Sequence, residues 1–149
     1  MWNKELSVLL SKGLIILGFI MAAAVGIWLP GIIGWVEEYY YRPLGHVVSC
    51  IFAYSVIITV CVLLIFLFVL LTNISKKKVF IPENVKTLRM IAWCCFIIAA
   101  ILCVWGVITM LEVIFLIAFV AGFMGLILRV LKNVMEEAVN IKEENDFTV

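Results

Sequence analysis

The stretch VVSCIFAYSVIITVCVLLIFLFVLLTNISKKK, residues 47–78, decides the fold. Its first part, Val47–Thr72, carries no charge. At about 1.5 Å per residue such a helix is long enough to cross a bilayer core of about 30 Å. Asn73-Ile74-Ser75 then leads into Lys76-Lys77-Lys78, and short basic loops of this kind stay in the cytoplasm. The stretch therefore predicts a multi-pass protein of the inner membrane.

The rest of the chain agrees. Hydrophobic residues make up 66% and charged residues 14% of 149, against about 45–50% and 25% in soluble domains. A water-soluble monomer of this size could not hide so apolar a surface. Of the eleven Lys and Arg, only Arg42 falls in a segment expected outside. Lys4 and Lys12 precede the first span. Lys76, Lys77, Lys78, Lys86 and Arg89 lie between the second and third, and Arg129, Lys132 and Lys142 follow the fourth. All three groups fall on one side only if four spans cross with both termini in the cytoplasm.

The expected fold is all-α, an integral-membrane four-helix bundle in a single domain, 1–149. Its spans are about 14–29, 47–71, 90–109 and 113–128. A cytoplasmic connector covers 72–89, and a cytoplasmic helix and tail cover 129–149. An outer segment, Pro30–His46, follows the first span, and a tight outer turn around Met110–Glu112 joins the last two. Trp28 and Trp35, and Trp93 and Trp105, sit where interfacial belts are found. Lys4, Lys12 and Ala22-Ala23-Ala24 also suit a secretory signal. Continued apolar sequence through Leu29 favours a retained span.

Gly18, Ala22 and Gly26 form a small-residue stripe on span one, and Ala118/Gly122 and Ala121/Gly125 offer two such faces on span four. These are expected to be contacts within the bundle. No Asp, Glu, Lys, Arg or His falls in the spans, which argues against proton relays and voltage sensing. Ser55 and Thr59 are expected to bond back to their own helix. The five cysteines show no CxxC or Cys/His spacing, so no metal and no cofactor is expected. Cys50 and Cys103 fall at similar depth, which leaves a pairing open. His46 is expected at headgroup level, with no carboxylate to meet it, and no nucleophile–base set points to an enzyme.

Two surfaces are candidates for contact. The outer one is Trp35, Tyr39, Tyr40, Tyr41 and Arg42, an aromatic stretch expected to lie in the interface. The cytoplasmic one joins Phe80, Pro82, Glu83, Asn84, Lys86 and Arg89 to Glu143, Glu144, Asn145, Asp146, Phe147, Thr148 and Val149. Pro82 and Glu83 open a helix there, with Val85 and Leu88 inward and Lys86 and Arg89 outward. Beyond span four, Val130, Val134, Ala138 and Ile141 form the stripe expected to pair with it.

The connector Lys76–Arg89 (KKKVFIPENVKTLR) resembles the stretch between the middle spans of the YoaS-like membrane proteins, a bacterial family of unknown function. The ending AVNIKEENDFTV, residues 138–149, is similar to their terminus, with Phe147 where Leu is common, and Trp28-Leu29-Pro30 also matches. The family has no established catalytic residues. The resemblance implies a gene context beside a small helix-turn-helix DNA-binding protein. The chain has no nucleic-acid fold, so no direct nucleic-acid binding is expected. Its partners would be the lipid bilayer and that soluble protein, and a homo-oligomer stays open. The expected role is a membrane adaptor. The alternative is a membrane effector, a peptide self-immunity factor or exporter subunit, acting through the outer segment.

Overall fold

Lipid offers a backbone no hydrogen-bond partners, so apolar runs of this length close their bonds internally as helices. The computed structural model describes residues 4–40 and 45–147. They form four helices: α1 (Lys4–Tyr40), α2 (His46–Ser75), α3 (Pro82–Thr109) and α4 (Glu112–Phe147). All four are long and apolar enough to cross a membrane. The protein is an all-α, four-helix membrane protein with several passes.

Each helix lies antiparallel to the one before it. Among the described residues, backbone contacts join α1 to α2, α2 to α3 and α3 to α4, and none joins α1 to α4. The bundle is therefore open along one side. Core side chains follow the same order. Leu29, Ile33 and Ala53 join α1 to α2, while Ile98, Leu102, Ile114 and Ala118 join α3 to α4 with Val56 and Val60 of α2 against them. α3 carries the most buried residues and forms the spine.

The small residues occupy the seams, as expected. A Cβ added at Gly18 would meet Leu64 at 3.3 Å, and one at Gly26 would meet Ile57 at 4.0 Å. Ala22 sits half-buried between them. On α4 both faces meet α3: an added Cβ would stand 3.6 Å from Ala99 at Gly122 and 3.0 Å from Phe96 at Gly125. The turn between α3 and α4 is as tight as expected. Met110 takes a left-handed conformation (φ 54°) and its N–H bonds Gly106 O at 2.8 Å.

The outer segment departs from expectation. α1 does not end at Leu29 but runs through Pro30 to Tyr40. Proline has no N–H, so Pro30 leaves the carbonyl four residues back, on Gly26, without its helical donor. Tyr54 of α2 donates its hydroxyl to that carbonyl at 3.0 Å. A neighbouring helix thus supplies the bond that proline removes, which lets α1 continue unbroken past Pro30. Tyr54→Phe should weaken the α1–α2 pair by about 1 kcal/mol. In a Pro30→Ala background, where the backbone N–H returns, the same change should cost almost nothing. Reversible unfolding in mixed micelles measures this cycle, and equal losses in both backgrounds would refute the coupling.

Ser55 and Thr59 behave as expected, bonding Ile51 O and Ser55 O at 2.8 Å each. Trp105, near the far end of α3 from Trp93, does not point outward. It turns inward, donates to the buried Ser49 hydroxyl at 3.4 Å and stacks on Phe52, because it fills the gap where α1, α2 and α3 meet. Trp28, Trp35 and Trp93 remain exposed on the outer faces of their helices.

Candidate functional site

Four antiparallel helices bring both ends of the described chain to the end that carries Lys76–Lys78. α2 stops there through a left-handed residue, Lys77 (φ 59°). Lys77 N–H bonds Ile74 O and Lys78 N–H bonds Asn73 O, each at 3.0 Å. This is the bond pattern that closes helix C-termini, with lysine where glycine is usual. The loop that follows is only residues 76–81. Ile81 is extended, as a residue before proline should be, and Pro82 and Glu83 open α3 as expected.

Asn84 holds this loop. It is fully buried. Its Nδ2 donates to Lys78 O and Val79 O at 2.8 Å each, and its Oδ1 accepts from Asn73 Nδ2 at 2.9 Å. Asn84 was expected on a docking surface, and its burial removes it from one. A carboxamide is needed there because two loop carbonyls point inward and must find donors. Phe80, Pro82, Glu83, Lys86 and Arg89 are exposed, while Val85 and Leu88 are buried, as expected.

One ion-pair network ties α3 to α4. Arg89 Nη2 lies 3.6 Å from Glu136 Oε1, and Lys132 Nζ lies 2.6 Å from Glu136 Oε2. The Lys132 hydrogen bond, helped by the charges of Lys132 and Arg89, holds the Glu136 carboxyl below the usual carboxylate range. Glu136 lies beyond the expected span 113–128. Carried seven residues further in each direction from the Arg89–Glu136 pair, the register sets Pro82 level with Glu143. The two expected docking segments therefore share one end of the molecule.

The rotation of α4 corrects a second expectation. Val130, Val134 and Ile141 were to face α3, but they are 62%, 63% and 53% exposed. Ala138 is half-buried, and the face toward the bundle carries Lys132, Met135, Glu136 and Val139. The reason lies in the span. Ala118, Gly122 and Gly125 are the only seam narrow enough for close approach to α3 among the residues of α4 described in contact with it. One unbroken helix propagates that seam to Lys132, Glu136 and Val139. α4 stays helical to Phe147, slightly further than expected. Glu143, Glu144 and Asn145 are exposed, whereas the side chains of Asp146 and Phe147, and all of Thr148 and Val149, lie outside the described residues.

At the opposite end, Trp35 and Tyr39 are exposed and stacked, 5.6 Å between ring centres. They continue α1 instead of lying apart from it. The side chain of Tyr40, and Tyr41 and Arg42, lie outside the described residues. His46 does meet a carboxylate: its Nδ1 is 3.4 Å from Glu37 Oε2. The two are nine positions apart in sequence, one near the end of α1 and the other at the start of α2, and only the packing of α2 against α1 brings them together. Glu37 Oε1 is shielded from solvent and has no hydrogen-bond partner among the described residues. Beside this pair, an apolar cleft of about 430 Å³ opens between α1 and α4, lined by Leu29, Ile33, Val36, Ser49, Trp105 and Ile114.

The five cysteines are free thiols. Among the described residues no three His, Cys, Asp or Glu side chains converge on a metal position. No curated protein and no solved structure matches the chain. The connector and terminal residues pointed to a family without an assigned activity, and that expectation holds at the level of the family. The pattern described as protein of unknown function (DUF2975) matches residues 28–149, and the chain belongs to that family.

Proposed function

We propose that this protein is a non-enzymatic adaptor of the bacterial inner membrane, with both termini in the cytoplasm, that docks a small soluble protein on its lysine-bearing end. The orientation rests on the basic residues gathered at that end. The observation that carries the docking role is the outward stripe of α4. If Val113 enters the outer face of the hydrocarbon, a core of about 30 Å ends near residue 132. Val134 and Ile141 then stand beyond lipid, turned away from the bundle, and apolar surface in water calls for a partner. Phe80 and the exposed acids Glu143 and Glu144 flank the same end. The partner favoured by the family resemblance is a helix-turn-helix protein, whose link to nucleic acid would be its own.

Co-purification from membranes with a soluble helix-turn-helix protein tests this. Val134→Glu with Ile141→Glu, or removal of Glu143–Val149, should leave insertion and abundance intact, because no span is touched. Either change should lower the captured protein by at least about tenfold, the usual effect of losing a contact hot spot. Full capture by both variants would refute the docking role. The stacked Trp35–Tyr39 pair beside the 430 Å³ cleft favours the second proposal in that case, a membrane effector that engages a peptide or transporter from outside.

A further inference from the structure

A second cleft, of about 510 Å³, lies on the flank of the α3–α4 pair at the lysine-bearing end. It is lined by Arg89, Trp93 and Phe96 of α3 and by Arg129, Lys132 and Asn133 of α4. We propose that this cleft binds the phosphate headgroup of an anionic membrane lipid.

Charge is the first ground. Three cations from two helices converge on one cleft, and the one carboxylate bonded among them is Glu136, held by Lys132 and Arg89. Among the described residues Arg129 has no ion pair. The cleft therefore keeps a positive excess. Asn133 adds an amide donor, and arginine offers the planar fork that suits phosphate oxygens. Lys132 is not a loose surface lysine, since its side chain is 14% exposed and its ammonium is fixed by Glu136.

Depth is the second ground. Trp93 lies one helical turn inside Arg89, and Arg129 about one turn inside Lys132. Trp93 and Phe96 meet edge to face, with ring centres 6.2 Å apart. Below them α3 and α4 continue as apolar helix. With Arg89 above the aromatic pair, Lys132 and Arg129 beside it and apolar wall beneath, the cleft follows the polarity profile of a phospholipid. The long arginine side chain carries its charge outward to the phosphate level. The cleft also opens onto the lipid-facing side, so its occupant arrives laterally from the bilayer. A free anion would use the cations and leave the aromatic wall idle. The site needs no soluble partner, so it stands or falls apart from the docking role.

Native mass spectrometry of the full chain released from mixed-lipid micelles tests it, with phosphatidylglycerol and phosphatidylcholine as probes. The wild-type chain should retain phosphatidylglycerol at least about tenfold better than phosphatidylcholine. Arg89→Gln with Arg129→Gln should erase that preference, whereas Lys76→Gln with Lys77→Gln, which removes the same charge from the loop, should keep it. Arg129→Gln alone breaks no ion pair, so folding is not in question, and it should lower retention about fivefold. Equal retention of the two lipids, or equal loss from the loop variant, would show only general attraction to a basic end and overturn the site. Displacement of phosphatidylglycerol by inorganic phosphate at matched concentration would also overturn it, assigning the cleft to a soluble anion.

Discussion

Asn84→Leu is expected to destabilise the protein by about 3 kcal/mol, the largest loss of any single polar change described. Leucine matches the volume but leaves the Lys78 and Val79 carbonyls without donors and Asn73 without its acceptor. Each buried polar group left unpaired costs about 1–3 kcal/mol. Asn84→Asp separates bonding from packing. It keeps an acceptor for Asn73 but turns an oxygen toward two carbonyls, so it should also fail. Unfolding in mixed micelles gives the stability. Trypsin cleavage at Lys76–Lys78 gives the local effect, because the loop should open before the helices do. A leucine variant as stable and as protease-resistant as the wild type would show that the loop holds itself. Under the proposed adaptor role, capture of the soluble protein should fall with it, since Phe80 rides on this loop.

Gly125→Leu is expected to part α3 from α4 and to cost about 2 kcal/mol or more. The added Cβ alone would stand 3.0 Å from a Phe96 ring carbon, and three further carbons must be fitted at a buried position between the two helices. Phe96→Ala should recover much of the loss by vacating that volume. At Gly13 an added Cβ meets nothing within 4 Å, so Gly13→Leu should cost nothing and serves as the control. Double-mutant analysis of Gly125→Leu and Phe96→Ala in micelles measures the coupling. Additive losses would mean that Phe96 is not what fills the seam. Because the same seam sets the rotation of α4, Gly125→Leu should also disturb the Arg89–Glu136 pair three turns away.

The four helices and their order were legible because a single property, uncharged apolar length, specifies each one. Val47–Thr72 can fold in no other way in lipid. The small-residue seams were legible for a similar reason, since Gly18, Gly26, Gly122 and Gly125 permit close approach wherever a neighbour stands. Tyr54 was not legible as the donor for the Pro30 gap. The signal was present, because a proline four residues after Gly26 leaves an orphan carbonyl, but nothing local says which neighbour reaches it. Trp105 and Ser49, 56 residues apart, and Glu37 and His46 were invisible for the same cause.

The lysine-bearing end divides in the same way. That Phe80–Arg89 and Glu143–Asn145 lie at one end follows from helix lengths and an antiparallel turn. That Asn84 lies beneath the surface does not, because its partners are backbone carbonyls, which every residue carries. The sequence by itself determined which segments are apolar enough to cross a membrane and which end gathers the basic charge, since transfer into lipid depends on each segment's own composition. Where α1 ends it did not, because Tyr54 of α2 carries that helix through Pro30. Only the tertiary structure decided which face of each helix meets its neighbour. Hydrophobic pattern ordinarily reveals that face, but in lipid an apolar side chain is as content outward as inward. The choice therefore passes to the fit of glycines against Leu64, Ala99 and Phe96, and that fit turns Val130, Val134 and Ile141 away from the bundle while bringing Arg89, Arg129 and Lys132 to one cleft.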